Sequence, residues 1–252
     1  MQDRAEVTRQ TILRSAAEQF DQKGYSAASI ADIARRADCT SGALYFHFAG
    51  KDRLAAAVIE AHFAAWPPLV DWATAVSAPA LDRLVALSFA VMRAFRDDVV
   101  VRAGGRLWSE RQAVDATLPA PFVGWIATTA AFLEQAADDG SVHPRLDPLE
   151  AADALVCAMF GVHTVSDALD GRVLVEEHLS ALWLLLLPGL REPSGDHRDL
   201  VRRCRALRPP QGCERSTVLL TGPADAGPRT GATPRSPRRS SSTPRPRTAR
   251  TH

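Results

Sequence analysis

Apolar residues recur every three or four positions along most of this chain, the spacing of one helix face. Over 7–23 the set Ile12, Leu13, Ala16, Ala17 and Phe20 predicts a first helix, and Gly24 stands where a helix-ending glycine belongs. Ser29 followed by Asp32 has capping-box spacing, and Ile30, Ile33, Ala34 and Ala37 form the apolar side of a second helix over 30–37. Thr40 is placed to cap a short third helix over 41–46, in which Ala43 and Leu44 turn inward. Three helices whose last two are joined by a tight turn predict a helix-turn-helix module over 1–50.

The same periodicity predicts helices over 51–65, closed by Pro67 and Pro68, and then over 80–95, 99–109, 122–139, 149–169 and 174–187. Pro119 and Pro121 interrupt the chain before the fourth of these, and Gly140 and Gly171 end the fourth and fifth. No stretch alternates as a strand does. The expected fold class is all-α: an N-terminal three-helix helix-turn-helix domain, then a C-terminal helical ligand-binding and dimerisation domain over 51–190. Residues 191–252 read as a basic, Pro/Arg-rich tail. Disorder is the expectation for it, most strongly over 209–252, which holds eight of the seventeen prolines and almost no apolar residues.

Composition supports this picture and excludes others. An apolar content of 46% is ample for a core, and 6% aromatic residues argue against an aromatic-rich sandwich. No secretory pattern opens the chain, and the longest apolar run, 182–187, is too short to span a bilayer. Cys39, Cys157, Cys204 and Cys213 form no C-x-x-C pair, which predicts reduced cysteines, no metal site and no cofactor in a cytoplasmic protein without a membrane partner. Charge is unevenly spread: Lys and Arg against Asp and Glu number 8 to 8 over 1–66, 8 to 16 over 67–190, and 14 to 5 over 191–252. The basic end is expected to add sequence-independent affinity for a polyanion.

The segment from Thr40 to Lys51 carries the most chemistry. A recognition helix enters the major groove only if its leading side chains are small, and Ser41, Gly42 and Ala43 are small. Ser29, Thr40, Tyr45, His47 and Lys51, with Arg4, Arg9 and Arg36, supply donors for phosphate oxygens, while Phe46 and Phe48 read as core. The expected partner is double-stranded operator DNA. An enzyme is not expected: Ser109, His163 and Asp167 form a triad only on paper, without a G-x-S-x-G elbow, and P-loop, dinucleotide and H-E-x-x-H signatures are missing.

The stretch Arg9-Gln-Thr-Ile-Leu-Arg-Ser-Ala-Ala-Glu-Gln-Phe, with Gly24-Tyr25, Ser29-Ile-Ala-Asp-Ile-Ala and Gly42-Ala-Leu-Tyr-Phe-His-Phe, resembles the TetR family of transcriptional repressors. Further on, Val101-Arg-Ala-Gly-Gly-Arg-Leu, Pro119-Ala-Pro-Phe-Val-Gly-Trp and Phe160-Gly-Val-His-Thr-Val-Ser-Asp resemble a narrower group, the γ-butyrolactone autoregulator receptors and their methylenomycin-furan-sensing relatives. The resemblance covers residues 3–190. It implies a homodimer that binds a pseudo-palindromic operator, pairs through its last two helices, and is released by a small signalling ligand controlling antibiotic genes. The alternative within the class is a multidrug- or antibiotic-sensing repressor.

By the same resemblance Trp125 aligns with a ligand-covering tryptophan, and Phe122 takes a position that some relatives fill with tyrosine. His163 is a candidate pocket donor, and Leu84, Phe89, Leu107, Met159 and Phe160 are candidate walls. The set Leu149, Ala152, Leu155, Val156, Met159 and Phe160, with Leu179, Leu182, Trp183, Leu186 and Leu187, offers more apolar surface than a small domain needs, which independently predicts a dimer. Two departures stand out. Ser41 replaces a common lysine, and Gly50 replaces a common serine N-cap, at a cost of a few tenths of a kcal/mol.

Overall fold

The computed structural model describes residues 2–116, 118, 122–191 and 195–210, and every structured element among them is helical. Helix α1 (Gln2–Ala27) breaks at Gly24, where φ is 76°, so the predicted terminating glycine sits at the kink. Ser29 Oγ accepts the Asp32 N–H at 3.1 Å to start α2 (Ile30–Arg36), and Thr40 Oγ1 accepts the Ala43 N–H at 3.1 Å to start α3 (Ser41–His47). Ile12, Phe20, Ile33 and Leu44 have no exposed surface and form the small core of this head.

Helix α4 (Lys51–Ala64) starts at Gly50 without a side-chain cap, as the missing serine implied. The two prolines behave differently from expectation. They occupy the first turn of a further helix, α5 (Trp66–Ala75), where a missing N–H costs nothing because those amides have no helical acceptor anyway. Helix α6 (Ala80–Asp97) is the centre of the C-terminal domain, packed by α5, α8 (Val123–Asp138), α10 (Val175–Leu190) and α11 (His197–Ala206). Helix α7 (Val99–Ser109) makes the most extensive packing with the head, against α1 and α4. A Cβ on Gly104 would lie 2.2 Å from the Cβ of His62, so glycine there is what lets α7 approach α4. Helix α9 (Pro148–Asp170) is capped by Asp147 and closed by Gly171, whose φ is 65°.

Helix α11 lies inside the segment read as tail and corrects the 190/191 boundary. Leu200, Val201 and Cys204 are buried against α6 and α10, while Arg198, Arg202, Arg203 and Arg205 project outward or into ion pairs. Averaged over 62 residues, the arginine content masked a ten-residue amphipathic helix. The remaining expectation of disorder concerns mainly residues 211–252, which lie outside the described residues, as do Pro119 and Pro121.

Candidate functional site

Two features of this fold can carry function, the outward face of α3 and a cavity in the C-terminal domain. On α3, Leu44 is buried and Phe48 follows one turn later at 5% exposure, with the Arg9 guanidinium 5.2 Å from its ring. Phe46 was expected in the core but is 83% exposed. Two residues along a helix is a rotation of about 200°, so Phe46 points away from the face that Leu44 buries. It joins Tyr45 (54% exposed), Ser41 and Gly42 on the outer surface, with Ala43 and His47 half-buried at its edges.

The other predicted DNA-contact residues are placed as follows. Arg4, Ser29 and Thr40 are exposed, and both hydroxyls already accept a backbone N–H as caps while keeping their own proton to donate. The ammonium of Lys51 donates to Ser26 O at 3.2 Å and lies 4.4 Å from the Tyr25 ring centroid, so part of its capacity is used within the head. Arg36 is paired with Glu18.

The cavity has a volume of about 830 Å³. Of the eight predicted pocket residues it is lined by Leu84, Phe122, Trp125, Met159, Phe160 and His163. Phe89 and Leu107 are corrections. Both are fully buried but on the wrong faces, because α6 lines the cavity with Leu84, Leu87, Ser88, Val91, Met92 and Phe95, and α7 with Arg102, Gly105, Arg106 and Ser109. Sequence reasoning also missed His62, Phe95, Trp108, Thr129 and Trp183 as lining residues. Nothing in a helical apolar pattern separates a cavity wall from a filled core.

Two buried histidines flank Phe95 in this wall, with ring centroids 4.0 Å (His163) and 5.7 Å (His62) from it. His62 Nδ1 lies 2.8 Å from Val101 O, so Nδ1 carries the proton and Nε2 is left as an acceptor. Burial holds this ring's pKa down at about 4. His163 Nδ1 accepts Arg172 Nε at 3.3 Å, which puts its own proton on Nε2, and burial together with the Arg172 charge lowers it to about 3. Trp183 Nε1 donates to Ser88 Oγ at 2.8 Å, and Ser88 in turn to Val85 O at 2.6 Å, so those groups are satisfied within the wall. Trp108 Nε1 is buried without a hydrogen-bond partner.

One end of the cavity is apolar and the other is charged. Leu84, Leu87, Val91, Met92, Leu155 and Met159 make the first. Asp21, Arg102, Arg106, Glu110, Asp167 and Arg172 make the second, joined by Arg102 Nε to Asp21 at 2.9 Å, Arg106 Nε to Glu110 at 3.0 Å and Arg172 Nη1 to Asp167 at 2.8 Å. Ser109, His163 and Asp167 thus share one cavity, but their hydrogen bonds lead elsewhere. Ser109 Oγ donates to Gly105 O, and Arg172 engages both His163 and Asp167. Among the described residues no three His, Cys, Asp or Glu side chains gather as metal ligands.

Outside the cavity, α9 and α10 present uncovered apolar side chains: Leu149, Val165, Leu169, Leu174 and Leu185. By length and composition α9 would also pass as a membrane span, and only 22% of that apolar window is buried. The residues responsible differ from most of those predicted for the dimer surface. Ala152, Leu155, Leu179, Trp183 and Leu187 are in the core of the single chain, whereas the uncovered residues lie beside that buried face on α9 and away from it on α10.

Comparison with known proteins agrees with this layout. Residues 12–58 match the family described as bacterial regulatory proteins, tetR family, and residues 78–192 match the tetracyclin repressor-like C-terminal domain. The A-factor receptor protein of Streptomyces griseus is 35% identical over 192 residues, covering 76% of this chain and 67% of that protein. A structure solved to explain control of antibiotic production by bacterial hormones is 40% identical, with a TM-score of 0.68 over 73% of this chain and 97% of its own. The CprB protein of Streptomyces coelicolor, solved in complex with its operator sequence, is 30% identical, with a TM-score of 0.68 over 80% of this chain and 98% of its own.

Proposed function

Because this chain belongs to the TetR family of bacterial regulators, we propose that it is a dimeric repressor released from its operator by a small γ-butyrolactone, butenolide or furan signal. The observation that carries the reading is the cavity itself. It is large enough for a small amphiphile, apolar at one end and polar at the other, and its wall includes side chains of α1 and α4, the helices that hold the reading head. A ligand there touches the head directly. The uncovered face of α9 and α10 pairs with that of a second copy, which presents two α3 helices to a pseudo-palindromic site in the cytoplasm. The cavity is a binding site without a catalytic step, since Arg172 stands between the would-be base His163 and Asp167.

A mobility shift with DNA from upstream of its own gene, titrated with a synthetic alkyl γ-butyrolactone, tests the reading. Retardation that the lactone abolishes is expected, and failure to retard any promoter fragment would overturn it. Trp125→Ala removes a ring that lines the cavity and meets Trp66 edge-on at 5.4 Å. It should raise the lactone concentration needed for release about ten- to a hundredfold, in line with roughly 1.5–3 kcal/mol of lost apolar burial. An unshifted titration midpoint would remove Trp125 from the site.

Residues 211–252 hold eight arginines against two acidic residues, and we read them as a supplementary phosphate-binding arm. Deleting them should reduce the steepness with which operator affinity falls as salt rises. An identical slope for the full and shortened chains would dismiss the arm.

A further inference from the structure

The charged end of the cavity is continuous with the hydrogen bonds that hold the reading head in place. Arg106 Nη1 donates to Asp21 O at 2.6 Å and Arg106 Nε to Glu110 Oε1 at 3.0 Å. The second oxygen of Glu110 accepts the backbone N–H of Tyr25 at 2.6 Å, at the end of α1. Tyr25 then donates its hydroxyl to Asp52 Oδ1 at 2.6 Å, in the first turn of α4 and five residues past the end of α3. The same Asp52 oxygen accepts the Asp115 N–H at 2.8 Å, from the loop that follows α7. Three helices, α7, α1 and α4, are therefore tied by one chain of bonds that begins on the cavity wall. Gly24 fits this arrangement: it has a left-handed φ of 76°, and a Cβ there would lie 2.7 Å from Glu110 Oε1 and 2.9 Å from Arg106 Nη2.

We propose that Glu110 passes occupancy of the cavity to the reading head, its carboxylate holding α1 through Tyr25, and Tyr25 in turn holding α4 through Asp52. The inference rests on the reading of the cavity as the effector site. A ligand head group that accepts from Arg106 or donates to Glu110 competes for bonds already in use, because both side chains line the cavity. Losing the Glu110 contact frees the end of α1, and the start of α4 loses the partner that positions it beside α3. The effector implied is an amphiphile whose polar head, rather than its alkyl part, does the releasing. A ligand shifts an equilibrium only through contacts that differ between its two states, and these are bonds that can differ.

The relay predicts a sign that simple damage does not. If the bonds belong to the operator-holding arrangement, removing them does part of the ligand's work, so operator affinity falls while effector affinity rises. Tyr25→Phe deletes one hydroxyl outside the cavity and keeps the ring that stacks on Phe20 at 6.2 Å and lies beneath Lys51. Glu110→Gln keeps the shape of the side chain but removes its charge and one of its two acceptor oxygens, both of which are in use. With the full chain at fixed salt, each variant should bind a DNA fragment retained by the wild type about tenfold more weakly, the loss expected of one charge-assisted hydrogen bond. Tyr25→Phe, which lies outside the cavity, should bind the alkyl γ-butyrolactone more tightly, and the operator loss of the double variant should fall short of the sum of the two. Unchanged operator affinity in both variants overturns the relay. So does a joint loss of operator and lactone binding, which marks a damaged fold. A wild type that binds DNA but ignores the lactone overturns the ligand class proposed above, and the relay is then decided on operator affinity alone.

Discussion

Glu176→Ala is expected to destabilise the C-terminal domain by about 3–5 kcal/mol, the cost of removing one partner from a buried ion pair. Glu176 is only 5% exposed and receives Arg93 Nη2 at 3.1 Å, Arg96 Nη1 at 2.8 Å and Arg205 Nε at 3.3 Å. Burial alone would raise its carboxyl, but the hydrogen bonds from Arg93 and Arg96 and their charges bring it down to about 2. Arg93 is itself buried, and it also donates to Leu207 O at 3.1 Å and Arg205 O at 2.5 Å at the end of α11. The variant therefore leaves the Arg93 guanidinium in the interior and removes a carboxylate that also holds Arg205 of α11. Urea unfolding is the measurement, and proteolysis within α11 should accelerate in parallel. A loss below about 1 kcal/mol would mean that water reaches Arg93 and that the network is a surface feature.

Acid should weaken the protein well before its carboxylates protonate. The folded-state values of His62 and His163, about 4 and about 3, lie below the ordinary 6.5, so the fold favours the neutral rings. Their contribution is complete above pH 6.5 and is lost as pH falls from there towards those values. The interval from 6.5 to about 4 corresponds to about 3 kcal/mol for His62, of which roughly 2 kcal/mol is gone by pH 5. Glu176 acts in a separate window, since a carboxyl brought down to about 2 loses its contribution only as pH falls below 4.5. Unfolding free energies at pH 7 and pH 5 should therefore differ by at least that roughly 2 kcal/mol, and His62→Gln should reduce the difference to the part that His163 contributes. Equal stabilities at the two pH values would show that the rings are hydrated. Both histidines are neutral at pH 7, so the cavity offers an acceptor at His62 Nε2 and a donor at His163 Nε2 without adding charge.

Most of the helix pattern was legible because it depends on neighbours three and four residues apart. The caps at Ser29 and Thr40, the break at Gly24 and the span Val99–Ser109 follow from local chemistry, and the structure repeats them. Where local chemistry permits two outcomes, the reading erred. Pro67 and Pro68 can close a helix or open one, and packing of Trp66, Leu69 and Ala73 into the core chose the second. Arginine-rich composition over 191–252 hid Leu200, Val201 and Cys204, whose burial depends on α6 and α10, more than a hundred and about twenty residues earlier in the chain.

The candidate site divides in the same way. The reading head was identified from the sequence alone, because its small residues, caps and aromatics lie within one short segment and resemble a known family. The direction of Phe46 was not, since Phe46 and Phe48 are one residue type, and which of them is buried depends on how α3 and its C-cap pack against the rest of the head. In the cavity, Trp125 was reached by resemblance and His163 as a lone polar residue on an apolar helix, while His62, Trp183 and the charged end were not reached. They come from five helices and the turns that end two of them, spread over some 160 residues, and each looks like an ordinary core or surface position in its own segment. Sequence by itself determined the all-helical class, the capped head and its family. Only tertiary structure decided which apolar faces enclose space instead of filling it, and which carboxylate joins that space to the head, because both depend on distances between residues that no local periodicity relates.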